Sequence, residues 1–325
     1  MGEGVTAATA ARSSSRSGLR AVDPRRDLAG LADLIELAFA DSLDPSGRRM
    51  AQEMRRFGRL GWIGWLFGHL MLPPAAYPQG YVWVEGGRVV GNASLLRVEG
   101  TAGRWVLANV AVHPQHRRRG IARSLLAACL ELAARHWAQE IVLQVKARNE
   151  GARALYRQFG FVDQGTWVSW RKAAPSAAVA SGGRSARPRR DEDWSSQWAL
   201  AQRVAPLGFV WPHPLRASLF RPAPWYGSEA WAHWTWPSSG APLATLSARV
   251  GGDGGTQLYL LCEPEALGHA EAPLLELALS AALERGGMIH LESEAGGGEA
   301  PVRSFGFVEQ HRLTWMRLDP AEKRP

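Results

Sequence analysis

Residues Arg303–Met316 (RSFGFVEQHRLTWM) lie over Arg157–Trp170 (RQFGFVDQGTWVSW) at a constant shift of 146 positions. A repeat at that distance points to two copies of one folding unit, each with its own core. At 325 residues the chain is long for a single core and comfortable for two. The small-residue, Pro- and Arg-containing stretch 173–190 (AAPSAAVASGGRSARPRR) reads as the linker between them. The expected division is a disordered tail over 1–18, a first domain over 19–172, the linker 173–190, a second domain over 191–318 and a short tail over 319–325.

With 46% hydrophobic and 21% charged residues the chain has the composition of a globular protein. Its two cysteines, Cys129 and Cys262, have neither disulfide-framework nor ligand spacing and read as small core residues, and no histidine spacing suggests a metal. The opening residues lack an apolar run, and GWIGWLFGHLML at 61–72 is well short of the roughly 20 residues needed to cross a bilayer. A cytoplasmic location without membrane contact is the default expectation. Residues 1–190 hold 28 basic against 14 acidic side chains, whereas residues 191–318 hold 8 against 14. A basic half beside an acidic half fits an anionic ligand on the first, mutual attraction or nucleic-acid binding. Arg12, Arg16, Arg184, Arg187, Arg189 and Arg190 belong to the tail and linker and read as solvated.

Hydrophobic spacing predicts a short strand at Leu19–Val22, a helix from Asp27, and a second helical region from Ser46 to Leu72. The β-rich runs Tyr81–Glu85 and Arg88–Arg97 meet at Gly86 and Gly87, a two-residue hairpin signal. A strand at Arg104–Val112 follows, then a basic loop at Pro114–Gly120, a helix from Ile121 and a strand at Ile141–Val145. A helix at Glu150–Phe159, ended by Gly160, completes the copy.

The most informative segment is VAVHPQHRRRGIARSLL, Val110 to Leu126, where an apolar strand passes through a basic, glycine-containing turn straight into an apolar-faced helix. The first turn of a helix presents unpaired N–H groups and the positive end of its dipole, and a glycine there lets a diphosphate approach the backbone. Gly120 provides that approach, Ala122 stays small, and Arg117, Arg118, Arg119 and Arg123 add positive charge. Neither GxGxxG nor GxxxxGK occurs, so a Rossmann or Walker loop does not fit.

The segment closely resembles the signature of the GNAT acyltransferase superfamily, Arg/Gln-x-x-Gly-x-Gly/Ala, matched by Arg117, Gly120 and Ala122. Asn149, Ala152, Leu155, Tyr156, Gly160 and Phe161 resemble its second motif, and the likeness extends over about residues 19–172. The resemblance implies an α/β fold of two GNAT-like domains, each a mixed, mainly antiparallel twisted sheet flanked by helices. It implies that the backbone of Val110, Ala111 and Val112 holds a pantetheine arm. Arg117, Arg118, Arg119, Gly120, Ile121, Ala122 and Arg123 would hold the diphosphate of acetyl-CoA, chiefly through main-chain amides. Tyr156 would protonate the departing thiolate while an amine attacks directly, without an acyl-enzyme. Asn149 reads either as a ligand contact or simply as a helix N-cap. His113 and His116 read as exposed turn residues.

One departure stands out. Where the branch acting on protein N-termini commonly bears a glutamate, this chain has Gln144, which cannot take a proton; either a different carboxylate acts, Glu85 or Glu99 on the neighbouring strands, or water relays the proton from an amine already partly neutral. The second copy carries Glu263, Glu265 and Glu271 in its turn, Val302 in the place of Tyr156, and a Gly296–Gly298 loop. Such a turn repels diphosphate, so an inactive copy is expected, either closing the substrate cleft or supporting a homodimer. Its tryptophans, Trp194, Trp198, Trp211, Trp225, Trp231, Trp234, Trp236 and Trp315, read as core or as an aromatic wall. The expected activity is transfer of an acetyl group from acetyl-CoA to a primary amine on a small molecule or peptide, without metal and without nucleic acid. The rival is a non-catalytic acetyl-CoA/CoA-sensing regulatory protein.

Overall fold

The computed structural model describes residues 17–40, 45–59, 79–98, 103–173, 185–205, 209–210, 213–214, 216–222, 231–250, 255–282 and 287–319. By its internal contacts the chain forms two compact units, Met1–Leu96 with Leu107–Trp137, and Arg97–Val106 with Ala138–Pro325.

The first unit opens with β1 (Gly18–Ala21) and α1 (Pro24–Ala38). Asp23 caps α1 by accepting from the Arg25 N–H at 3.1 Å, with Pro24 in the first turn. The buried Asp27 carboxylate is held by both terminal nitrogens of Arg20, each at 2.6 Å, and by the Asp23 N–H at 2.7 Å. Helix α2 spans Pro45–Arg59; the rest of the region expected as helix, including the apolar stretch 61–72, lies outside the described residues. Strands β2 (Gln79–Glu85) and β3 (Arg88–Arg97) pair antiparallel. Gly86 and Gly87 both have positive φ, +55° and +80°, as a two-residue hairpin turn twisted to match its strands requires. Strand β4 (Arg104–Val112) lies beside β3, its last six residues in this unit, giving the order β1-β2-β3-β4. Helix α3 (Ile121–Arg135) buries Ile121, Leu125, Leu126, Cys129 and Ala133 against this sheet. Gly91 makes that close approach possible, because a Cβ there would stand 2.8 Å from Ile121 Cγ2 and 3.0 Å from Leu125 Cδ1.

The second unit begins with the first three residues of β4, which pair parallel with β5 (Glu140–Lys146) from Arg104↔Glu140 to Val106↔Val142. There follow α4 (Glu150–Gln158), β6 (Val162–Ala173), β7 (Arg187–Pro188), α5 (Trp194–Val204), and the paired β8 (Phe209–Val210) and β9 (His213–Pro214). The chain continues with β10 (Trp231–Trp236), β11 (Ala244–Val250), β12 (Thr256–Cys262), α6 (Glu271–Ala282), β13 (Met288–Glu294), α7 (Glu299–Ser304) and β14 (Val308–Leu318). The strand order is β4-β5-β14-β6-β13-β12-β11-β10-β7. One face packs Val168, Trp170, Leu246, Leu258, Leu274, Leu279, Ile289, Leu291 and Val302 into the main core. The other packs Tyr259 and Leu261 against Ala201, Ala205 and Phe220. A strand buried on both faces reads as a continuous apolar run, and β12 (TQLYLLC) does.

The two copies of the repeat are not separate in this sheet. Strand β6, the last of the first copy, lies between β14 and β13; β14, the last of the second, lies between β5 and β6. Each copy therefore lends its final strand to the other. The repeat shift of 146 makes Trp167 and Leu313 counterparts, and these two residues are paired with each other in the β6–β14 ladder. A local two-fold axis through an antiparallel ladder has that signature.

The stretch 173–190 is also less of a linker than expected. Residues 174–184 lie outside the described residues, but β7 pairs with β10. Arg187 binds Asp193 at 2.6 Å and the Ser238 carbonyl at 2.8 Å, while Arg189 donates to Gln197 at 3.2 Å and to the Phe220 carbonyl. These two are not solvated arginines: the acidic turn Asp191–Asp193 and a loop carbonyl recruit them. No helix among the described residues is long and apolar enough to cross a membrane.

Candidate active site

In the first unit, β4 runs to Val112 with Ala111 buried and Val110 and Val112 half-buried. Asn109 interrupts the strand with φ +52°, a left-handed conformation that non-glycine residues adopt at a strain. The buried Asn92 on β3 donates through Nδ2 to the Asn109 carbonyl at 2.9 Å and reaches Ser94 Oγ at 3.2 Å. Hydrophobic period does not mark this pair, although an Asn inside the apolar run VVGNASLL is a signal for it.

Beyond β4, Pro114–His116 form a single 3-10 turn, capped by His113 Nδ1, which accepts from the Gln115 N–H at 3.3 Å. Arg117 is extended and its Nε donates to the Val112 carbonyl at 3.3 Å. Arg118 then takes φ +63° and Gly120 φ +78°. Gly120 is the N-cap of α3 and supplies no side-chain hydrogen bond, and the first turn carries no acidic residue. Helix geometry leaves the leading N–H groups without intrahelical partners, and a Cβ placed on Gly120 would meet nothing within 4 Å. The turn is thus open at the positive end of a 15-residue helix. Of the residues singled out here, Ile121 is buried beneath the helix, Ala122 is half-buried, and Arg117, Arg118, Arg119, Gly120 and Arg123 are exposed.

The Arg119 side chain is committed elsewhere than expected. Its terminal nitrogens bind both oxygens of Glu85 on β2, at 2.9 and 3.1 Å, and the same carboxylate accepts from Trp83 Nε1 at 3.1 Å and faces His116 Nδ1 at 3.1 Å. Burial pulls the Glu85 carboxyl upward, but the hydrogen bonds from Trp83 and Arg119, with the charges of Arg119 and His116, outweigh it and hold the group below its ordinary value. Glu85 is therefore a clamp that fixes the turn, a poor general base, and His116 is its partner. Glu99, the other carboxylate considered for that role, lies outside the described residues.

In the second unit, Asn149 caps α4, its Oδ1 accepting from the Ala152 N–H at 3.2 Å. Tyr156 is 6% exposed, its ring edge-on to Phe161 at 5.9 Å, and burial pushes its phenol up to about 12. It holds its proton at neutral pH and fits a donor. Gly160, φ +91°, turns the chain out of the helix, and Asp163 on β6 pins α4 through Arg153 at 2.6 Å and Arg157 at 2.7 Å.

Strand register locates the missing carboxylate. Gln144 pairs with Trp315, and Glu292 pairs with Ser169; Ser169 and Trp315 are counterparts in the repeat, so Glu292 is the second copy's version of Gln144. Burial raises Glu292 to about 8, against a hydrogen bond from Ser169 Oγ at 2.6 Å that lowers it. The copy without the basic turn has a glutamate at that position. In that copy Glu271, at the start of α6, is fully buried, and its Oε1 accepts from the Gly268 N–H at 3.1 Å. A side chain on Gly298 would collide with that oxygen at 1.9 Å. The turn's own carboxylate fills the place beside its N–H groups. Glu263 is paired with Arg203 at 2.8 Å, and Val302 is a core residue. Trp234 and Trp315 are buried, while Trp211 and Trp225 lie outside the described residues. Cys129 and Cys262 are buried thiols, each pushed up to about 12 by burial. Among the described residues no three His, Cys, Asp or Glu side chains cluster as metal ligands.

Residues 38–161 match the model of the Acetyltransferase (GNAT) family. N-alpha-acetyltransferase 30 of Schizosaccharomyces pombe is 39% identical over 62 residues, 19% of this chain and 41% of that protein, so the match spans less than half of the curated relative. Among solved structures, a GCN5-related N-acetyltransferase from Sphaerobacter thermophilus superposes with a TM-score of 0.61 at 17% identity, covering 93% of this chain and 95% of that one. A tandem GNAT protein from the clavulanic acid biosynthesis pathway superposes with a TM-score of 0.54 at 20% identity, covering 94% and 98%. At those identities the structures speak for the two-copy fold, and over residues 38–161 the chain is similar to the acetyltransferase domain of the GNAT family.

Proposed function

We propose that the chain is an acetyl-CoA-dependent N-acetyltransferase whose first copy is active and whose second is not. The observation that carries this reading is the turn at Arg117–Arg123: two left-handed residues, Arg118 and Gly120, feed an uncapped helix N-terminus with open space above the glycine. Those residues fit a diphosphate, and the leading N–H groups of α3 would hold it. Bound acetyl-CoA supplies the acyl group as an activated thioester. The backbone of Val110, Ala111 and Val112 orients the pantetheine arm, and a strand N–H near Val112 polarises the acyl carbonyl as charge develops on its oxygen. Tyr156 holds the proton destined for the leaving sulfur; burial keeps the phenol protonated at neutral pH, as a donor must be. Gln144 leaves that position without a base, so the amine arrives already neutral or loses its proton to water.

The acceptor is a primary amine on a small molecule or a peptide. The name of the yeast relative brings protein α-amines into the set, and Gln144 in place of glutamate weighs against a close functional match. The test is a coenzyme-release assay on the full chain with a panel of peptide and small-molecule amines. Turnover on one of them, lost by about 100-fold or more in Tyr156→Phe with acetyl-CoA affinity retained, is expected. Coenzyme binding without turnover on any amine contradicts the reading and leaves a sensor.

A further inference from the structure

The second unit holds a cavity of about 290 Å³ that the acyl-transfer reading does not use. Strands β6 and β14 supply its indoles, Trp167 and Trp315, and Gly165 leaves the β6 backbone bare between its polar neighbour Gln164 and Trp167. Three charged residues line it. Glu263 and Arg203 bind each other at 2.8 Å and cancel. The backbone of Glu294, at the end of β13, is paired in the sheet, but its carboxylate makes no hydrogen bond or ion pair among the described residues, and burial raises that carboxyl. The volume lies at the small end of ligand-sized cavities.

The balance of charge selects the ligand. An anion would meet Glu294 and a guanidinium already held by a carboxylate. A neutral apolar molecule would leave Glu294 desolvated and unpaired, which is unfavourable. A cation restores a partner to Glu294, and the indoles of Trp167 and Trp315, which line the same cavity, are the side chains that favour an organic cation. We propose that this cavity binds a small organic ammonium ion, its charge set against Glu294 and its apolar body against Trp167 and Trp315. Binding requires neither acetyl-CoA nor the turn at Arg117–Arg123, so it stands or falls apart from the acyl-transfer reading.

The experiment is calorimetric titration of the full chain, without coenzyme, with butylamine, phenethylamine and tryptamine, each beside the alcohol of the same skeleton. At least one amine is expected to bind with a Kd below about 1 mM and its alcohol about tenfold more weakly. Glu294→Gln should bring the amine down to the alcohol. Gly165→Leu, which fills the cavity, should remove both. Absence of binding by all three amines up to about 10 mM overturns the proposal. So does equal binding of amine and alcohol, or amine affinity unchanged in Glu294→Gln, a variant that keeps the size of the side chain and so tests the charge even where Gly165→Leu fails to fold.

Discussion

A phenol withdrawn from water gives up its proton reluctantly, and a carboxyl withdrawn from water keeps one that it would otherwise release. Tyr156 and Glu292 show both effects, at about 12 and about 8, and each links stability to pH. For Glu292 the folded state keeps a proton that the unfolded chain releases near 4.5. Its contribution is therefore fully present below 4.5 and is lost as pH rises toward 8. Glu292→Gln, which retains an oxygen to accept from Ser169, should flatten that decline and raise the melting temperature at pH 8. Melting curves of both proteins between pH 5 and 8 check this, and an unchanged slope would count against a buried, proton-holding Glu292. For Tyr156 the corresponding loss comes as pH rises from 10 to about 12. Tyr156 and the arginine turn were legible because the family's motifs carry them; Glu292 was not. Its place emerges only from register, since the two copies differ in spacing between this strand and the next, which hides the correspondence from a fixed shift.

At the scale of elements, the turn depends on how closely α3 lies on β3. Gly91 has no room for a methyl group against Ile121 and Leu125, so Gly91→Ala should destabilise the chain by roughly 1–3 kcal/mol and weaken acetyl-CoA binding with it, measured by denaturant unfolding and by titration. Glu85 reaches the same turn from β2 through Arg119. Glu85→Gln should weaken coenzyme binding by a few-fold without altering the fold, about what one lost, partly exposed ion pair implies; unchanged affinity would show that the clamp is incidental. The strand–turn–helix order was readable from hydrophobic period and glycine positions. The clamp was not, because residues 34 positions apart meet only once β2 and the turn are folded.

For the second unit as a whole, the exchange of final strands means that neither half of the sequence carries all the strands around it. Deleting β14 leaves the facing edges of β5 and β6 unpaired, and exposed edges invite aggregation. A chain ending at residue 302 should lose cooperative unfolding or associate, seen by calorimetry and light scattering; a monomer with unchanged melting would contradict the shared sheet. The repeat of 146 made two copies legible. It carried no sign of which copy's strand lies where, since identical patterns pair equally well with either partner. Whether the turn at Arg117–Arg123 holds the coenzyme is read by titrating acetyl-CoA into the intact protein and into Gly120→Glu. One site per chain, abolished when a carboxylate replaces the glycine, is the predicted result; two sites, or binding that survives the substitution, would contradict the account.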